Sequence, residues 1–100
     1  MFRVTGIENV EFRIAPIPAY EEQYIYGVLA YIDQSNTASF MKPEVLKPLD
    51  EYLKYVYAVQ NEVEKPVTPL LCKELGLKGI HLIEIKAKLI ESIVEAQKNA

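Results

Sequence analysis

The side chains able to carry covalent chemistry are few. Cys72 and His81 are the sole cysteine and histidine. A cysteine nucleophile needs a neighbour that lowers its pKa, and its histidine must be held by a third group. The sequence shows neither arrangement. Cys72 sits in the apolar run Leu70-Leu71-Cys72, where a free cysteine acts as a small hydrophobe. His81 falls in the first turn of a helix, whose positive end disfavours the imidazolium. As metal ligands the pair leaves at least two corners of a zinc tetrahedron unfilled, with no CxxC or HxxxH spacing to complete it.

Carboxylates are plentiful but poorly arranged for acid–base work. Glu21 with Glu22, and Asp50 with Glu51, are sequence neighbours that point to different sides of a helix. Glu91 and Glu95 share a face, but it is the polar wedge of their helix. Gly76 and Gly79 are flanked by Leu, Lys and Ile, without phosphate-loop spacing. The expectation is a non-enzymatic chain with no catalytic residue, cofactor or metal ligand.

What remains is side chains suited to contact. All seven tyrosines lie between positions 20 and 57, and there is no Trp. Tyr combines a rigid apolar body with a polar tip at low entropic cost, which enriches it in interfaces. Lys86 is the second anomaly, because it falls near the middle of an apolar helical arc. A charge there must snorkel, pair with a carboxylate, or occupy an interface position. Tyr20, Tyr24, Tyr31, Ile83, Lys86, Ile90 and Val94 are therefore the interface candidates.

These residues must be positioned by a single domain of 100 residues, half of them apolar and a quarter charged, a composition that folds. A net charge of −3 argues against sequence-blind binding of nucleic acid, which relies on many Lys and Arg contacts to phosphates. No apolar run approaches the ~18 to 20 residues that span a bilayer, and the N-terminus lacks a signal-peptide pattern. With one cysteine and no internal disulfide, the expected location is the cytoplasm.

Along the chain, residues 1–18 read as a β-hairpin. Phe2, Val4, Val10, Phe12 and Ile14 alternate with polar residues, Gly6 to Asn9 supply the turn, and Pro16 and Pro18 stop the ladder. Residues 19–33 read as a helix opened by Pro18, Glu21 and Glu22, with a strand buried on both faces as the alternative. A loop over 34–38 and a helical turn over 39–46 follow. A helix is expected over 48–64, where Leu49, Leu53, Val56, Gln60 and Val63 recur at helical steps. Thr68-Pro69 opens a short helix over 69–75 that closes at Gly76.

The long helix expected over 80–97 dominates the pattern. Its apolar residues, Leu82, Ile83, Ile85, Leu89, Ile90, Ile93 and Val94 among them, cover more than half of its circumference. One contact needs a stripe only about 100° wide. Such a helix is either central to the domain or half of a subunit interface.

Residues 68–87 resemble the DNA-binding helix-turn-helix families. With Gly76 at the turn, Leu71, Leu75, Leu77, Leu82 and Ile85 take the motif's apolar positions. The positions that would face DNA, Lys78, Gly79, Ile80, Ile83, Glu84 and Ala87, offer no base-reading fork and no basic fringe. The layout as a whole is similar to that of small phage tail-assembly chaperones, which place a short ribbon before a helical body.

The expected fold class is α+β: an N-terminal β-hairpin on a bundle of three to four helices. The expected role is a non-enzymatic oligomerising or adaptor protein, viral or phage assembly included. It would act as a homo-oligomer, dimer or larger, or on another protein, without nucleic acid or membrane. A helix-turn-helix regulator is the alternative.

Overall fold

The computed structural model describes residues 1–32 and 41–98. The loop expected over 34–38 and the first residues of the turn expected from 39 lie outside the described residues. The fold is α+β, and among the described residues it comprises a three-stranded antiparallel sheet with four α-helices. In chain order these are β1 (Glu11–Ile14), α1 (Ala19–Leu29), α2 (Pro43–Asp50), a 3₁₀ helix (Glu51–Tyr55), β2 (Val56–Gln60), β3 (Val63–Pro66), α3 (Pro69–Leu75) and α4 (Gly79–Lys98).

The N-terminal ribbon pairs more briefly than its alternation suggests. Phe2 and Phe12 exchange backbone hydrogen bonds of 2.9 and 2.8 Å, and Gly6 and Asn9 take positive φ in the connection. The main partner of β1 is instead β2, with Phe12 opposite Ala58 and Ile14 opposite Val56.

That pairing corrects the helix expected over 48–64. The helical turns begin earlier, at Pro43, run through Pro48 to Asp50, and tighten into the 3₁₀ helix. Residues 56–66 then form a hairpin around Asn61 and Glu62, whose φ values of 52° and 65° suit a two-residue turn with both central residues left-handed. Val56 and Ala58 are buried and alternate with half-buried Tyr57 and Val59. Branched and aromatic residues on a half-buried sheet outweighed the helical spacing.

The other helices form where their caps place them. The Thr68 side chain accepts a hydrogen bond from the Leu71 N–H, 3.2 Å, and Gly76 closes α3 in the left-handed conformation.

Two apolar clusters make the core, and α4 runs through both. Ile85 packs with Val4, Val10, Phe12, Val56, Ala58, Val67 and Leu71 on the sheet side. Leu89, Ile90 and Ile93 pack with Ile25, Val28, Val45, Leu49 and Tyr52 from α1, α2 and the 3₁₀ helix. Complete burial of side chains such as Ile85 and Leu89 contributes roughly 1.5–3 kcal/mol each. The width of the α4 apolar arc thus has its explanation inside one chain, and α4 is the central helix.

Candidate interaction surface

With α4 covered apart from Ile80 in its first turn, the exposed aromatic side chains among the described residues gather on α1, while Met1, Met41, Val63 and Leu70 are exposed singly elsewhere. Ile25 and Val28 turn inward and are buried, while Tyr20, Gln23, Tyr24, Tyr26, Gly27, Ala30 and Tyr31 are exposed. At about 100° per residue, Tyr20, Tyr24, Gly27 and Tyr31 fall within about 60° of one another. The turn Ala30–Tyr31 continues this stripe through i→i−3 hydrogen bonds to Gly27 and Val28.

The outer face carries no charged residue. A solvated helix face is ordinarily laced with Lys and Glu. Here the two acids of α1 sit at its flanks and are engaged. Glu21 accepts from Lys54 Nζ at 3.0 Å, and Glu22 accepts from the Tyr26 hydroxyl at 2.8 Å. The Glu21 backbone carbonyl also accepts from the buried Tyr52 hydroxyl, 2.8 Å, which pins α1 to the 3₁₀ helix. The face is therefore held rigidly against the core. On it Tyr20 and Tyr24 pack edge to face, ring centroids 6.1 Å apart.

Exposed fractions are 75 % for Tyr20, 58 % for Tyr24, 54 % for Tyr31 and 37 % for Tyr26. At about 150–250 Å² per aromatic side chain, these four present on the order of 350–550 Å². Patches of that size on small proteins are often functional.

Gly27 completes the face. Its φ is not positive, and among the described residues no atom lies within 4 Å of where a Cβ would stand. A mid-helix Gly costs about 1 kcal/mol relative to Ala, and nothing among the described residues requires it. Sequence inspection registers Gly27 only as a weak point in a helix; its outward direction and open surroundings appear in three dimensions.

The sequence-derived candidates therefore divide. Tyr20, Tyr24 and Tyr31 lie together on the α1 face. Ile90 and Lys86 are covered by the chain's own helices, at 8 % and 6 % exposure, and so are not available at a surface. Ile83 and Val94 are half-buried, the latter against the α1–α2 cluster. Lys86 has taken the carboxylate option, pairing with Asp50.

The remaining chemical candidates stay apart. Cys72 opens onto a crevice of about 940 Å³ walled by Leu53, Val67, Pro69 and Leu82, and His81 is not among its lining residues. Burial pushes the Cys72 thiol up from its ordinary pKa, away from the thiolate a nucleophile needs. His81 accepts the Lys78 N–H at Nδ1, 2.8 Å, and its Nε2 faces Gly6. No cluster of three or more His, Cys, Asp or Glu suited to a metal ion occurs among the described residues, and no described helix is long and apolar enough to cross a membrane.

On the helix-turn-helix segment, Glu84 is already occupied. Its two carboxylate oxygens accept from the Thr5 N–H and the Thr5 hydroxyl, each at 2.8 Å, so the N-terminal turn is tied to the first half of α4.

The sheet edge is protected as well. The Val67 N–H bonds to the Val56 carbonyl, so alternation turns the Glu64 and Pro66 backbone outward. Pro66 has no N–H to offer, which leaves β3 a poor template for strand addition.

No protein-family model, no curated protein and no solved structure matches this chain.

Proposed function

We propose that this chain is a non-enzymatic oligomerising or adaptor protein that works through protein–protein contacts made by the outer face of α1. One observation carries the reading: an anchored, solvent-exposed side of α1 that bears four tyrosines and no charge. Rigid aromatic side chains lose little entropy on docking, and the absence of charge removes the desolvation cost that usually opposes burial of a helix face.

Light scattering across micromolar concentrations tests this. The wild-type chain is expected to give a dimer or larger species, and the double variant Tyr20→Glu/Tyr24→Glu a monomer with unchanged circular dichroism. A wild-type chain that remains a monomer into the hundreds of micromolar would remove the oligomerising role.

A further inference from the structure

We infer that the occupant of the α1 face is a second copy of this chain, docked antiparallel across a two-fold axis between positions 25 and 26. The inference rests on the function proposed above and supplies its partner and register. It comes from the order of large and small residues along the exposed stripe: Tyr20, Tyr24, Gly27 and Tyr31, at steps of four, three and four.

A two-fold contact must be self-complementary, because the same patch serves both copies. With the axis at that point, Tyr24 of each copy stands opposite Gly27 of the other, a ring against a hollow. Tyr20 stands opposite Tyr31, which closes the ends of the contact with a pair of rings. The parallel alternative sets Tyr24 against Tyr24 and Gly27 against Gly27, so bulk meets bulk and hollow meets hollow. It also brings Glu21 and Glu22 of both copies to the same end, whereas the antiparallel arrangement separates them and opposes the helix dipoles.

Gly27 gains a purpose in the pair. Its Cβ position is open among the described residues, and a close approach by the second α1 backbone gives that space a use. The area sets the expected strength. The three tyrosines of the stripe supply on the order of 280–470 Å² per copy, and Gln23, Gly27 and Ala30 extend the patch toward the small end of specific interfaces, about 600 Å² per partner. The expected dimer is of micromolar strength.

The test is sedimentation equilibrium on the full chain with thermal melts at high dilution. Gly27→Ala should act with opposite signs on the two readouts. It should raise the melting temperature of the dilute monomer by roughly 4–8 °C, because Ala is the better helix former, while weakening dimerisation at least tenfold. For the register, Tyr20→Glu and Tyr31→Lys should each weaken the dimer, and their combination should dimerise more tightly than either, because the new charges face each other across the axis. If the wild type associates but Gly27→Ala leaves its dissociation constant unchanged, or the double variant is no better than the singles, the antiparallel pairing is overturned while self-association stands. A wild type that never associates overturns both.

Discussion

The Lys86 ammonium of α4, buried among apolar side chains, donates to the Asp50 carboxylate and, at 3.0 Å, to the Leu46 carbonyl. Both acceptors lie at the C-terminal end of α2, where the helix dipole is negative. The pair bolts the central helix to α2, with one end desolvated and the other, Asp50, largely exposed.

This asymmetry makes the two partners unequal under mutation. Asp50→Ala strands a buried ammonium with one carbonyl for company and should cost about 1–3 kcal/mol. Lys86→Met fills similar volume without a charge and should change stability by no more than about 1 kcal/mol in either direction. Urea unfolding of the two variants decides it, and an equal or larger loss for Lys86→Met would refute the account.

The hairpin turn gives a second expectation. Asn61 tolerates the left-handed conformation, but Glu62 at φ 65° has a Cβ that crowds the following carbonyl. Glu62→Gly should therefore stabilise the fold by about 0.5–1 kcal/mol, the relief of strain exceeding the added chain entropy. Glu62→Val should destabilise it by about 1–2 kcal/mol. Thermal melts that place the two variants in the reverse order would show the turn to be of another kind.

A third concerns pH. Arg13 reaches across β2 to Glu64 of β3, with Nε and Nη2 donating at 2.8 and 2.9 Å, while its guanidinium lies 4.9 Å from the Tyr57 ring centroid. The Arg13 hydrogen bonds hold the Glu64 carboxyl below its ordinary pKa. A carboxylate depressed in the folded state stabilises above its unfolded pKa, about 4.3, and that contribution is lost as pH falls through the folded value. Wild type should therefore exceed Glu64→Gln in stability at pH 6, with the gap narrowing as the solution is acidified below the unfolded value. A gap that stays constant throughout that acidification in denaturant titrations would mean that the ion pair contributes nothing. Both side chains are exposed, so the gap should also shrink with salt.

How far these features are legible in the chain depends on how local their causes are. α1, α3 and α4 follow from nearby signals: Pro18 with two acids, Thr68-Pro69, and Gly76. The hairpin at 56–66 does not, because Leu49, Leu53, Val56, Gln60 and Val63 satisfy a helical period while Val56 and Ala58 satisfy a strand period. Only the sheet decides between them. Its turn also lacks the Gly that usually marks such a connection. That Lys86 needs an acceptor is evident from its place in an apolar arc; that Asp50 supplies it, 36 positions away, is a product of packing. The α1 stripe is intermediate. Its tyrosines stand out in composition, but the surplus apolar surface of α4 looks equally available until two clusters are seen to cover it.

Cys72 offers the last test, one that bears on any covalent role. The thiol is half-buried at the crevice wall, its pKa raised chiefly by burial. Raising a thiol pKa in the folded state favours the neutral form, so its thiolate fraction at pH 8 falls below that of an unfolded chain, whose thiol titrates near 8.5. An aromatic disulfide reagent at pH 8 should then modify the native chain at least tenfold more slowly than the chain in denaturant. Because the slowing arises from desolvation and access, His81→Ala should leave the native rate unchanged. A native rate equal to the unfolded one, or one that falls on removal of His81, would point to an activated thiol and would reopen a catalytic reading of the crevice.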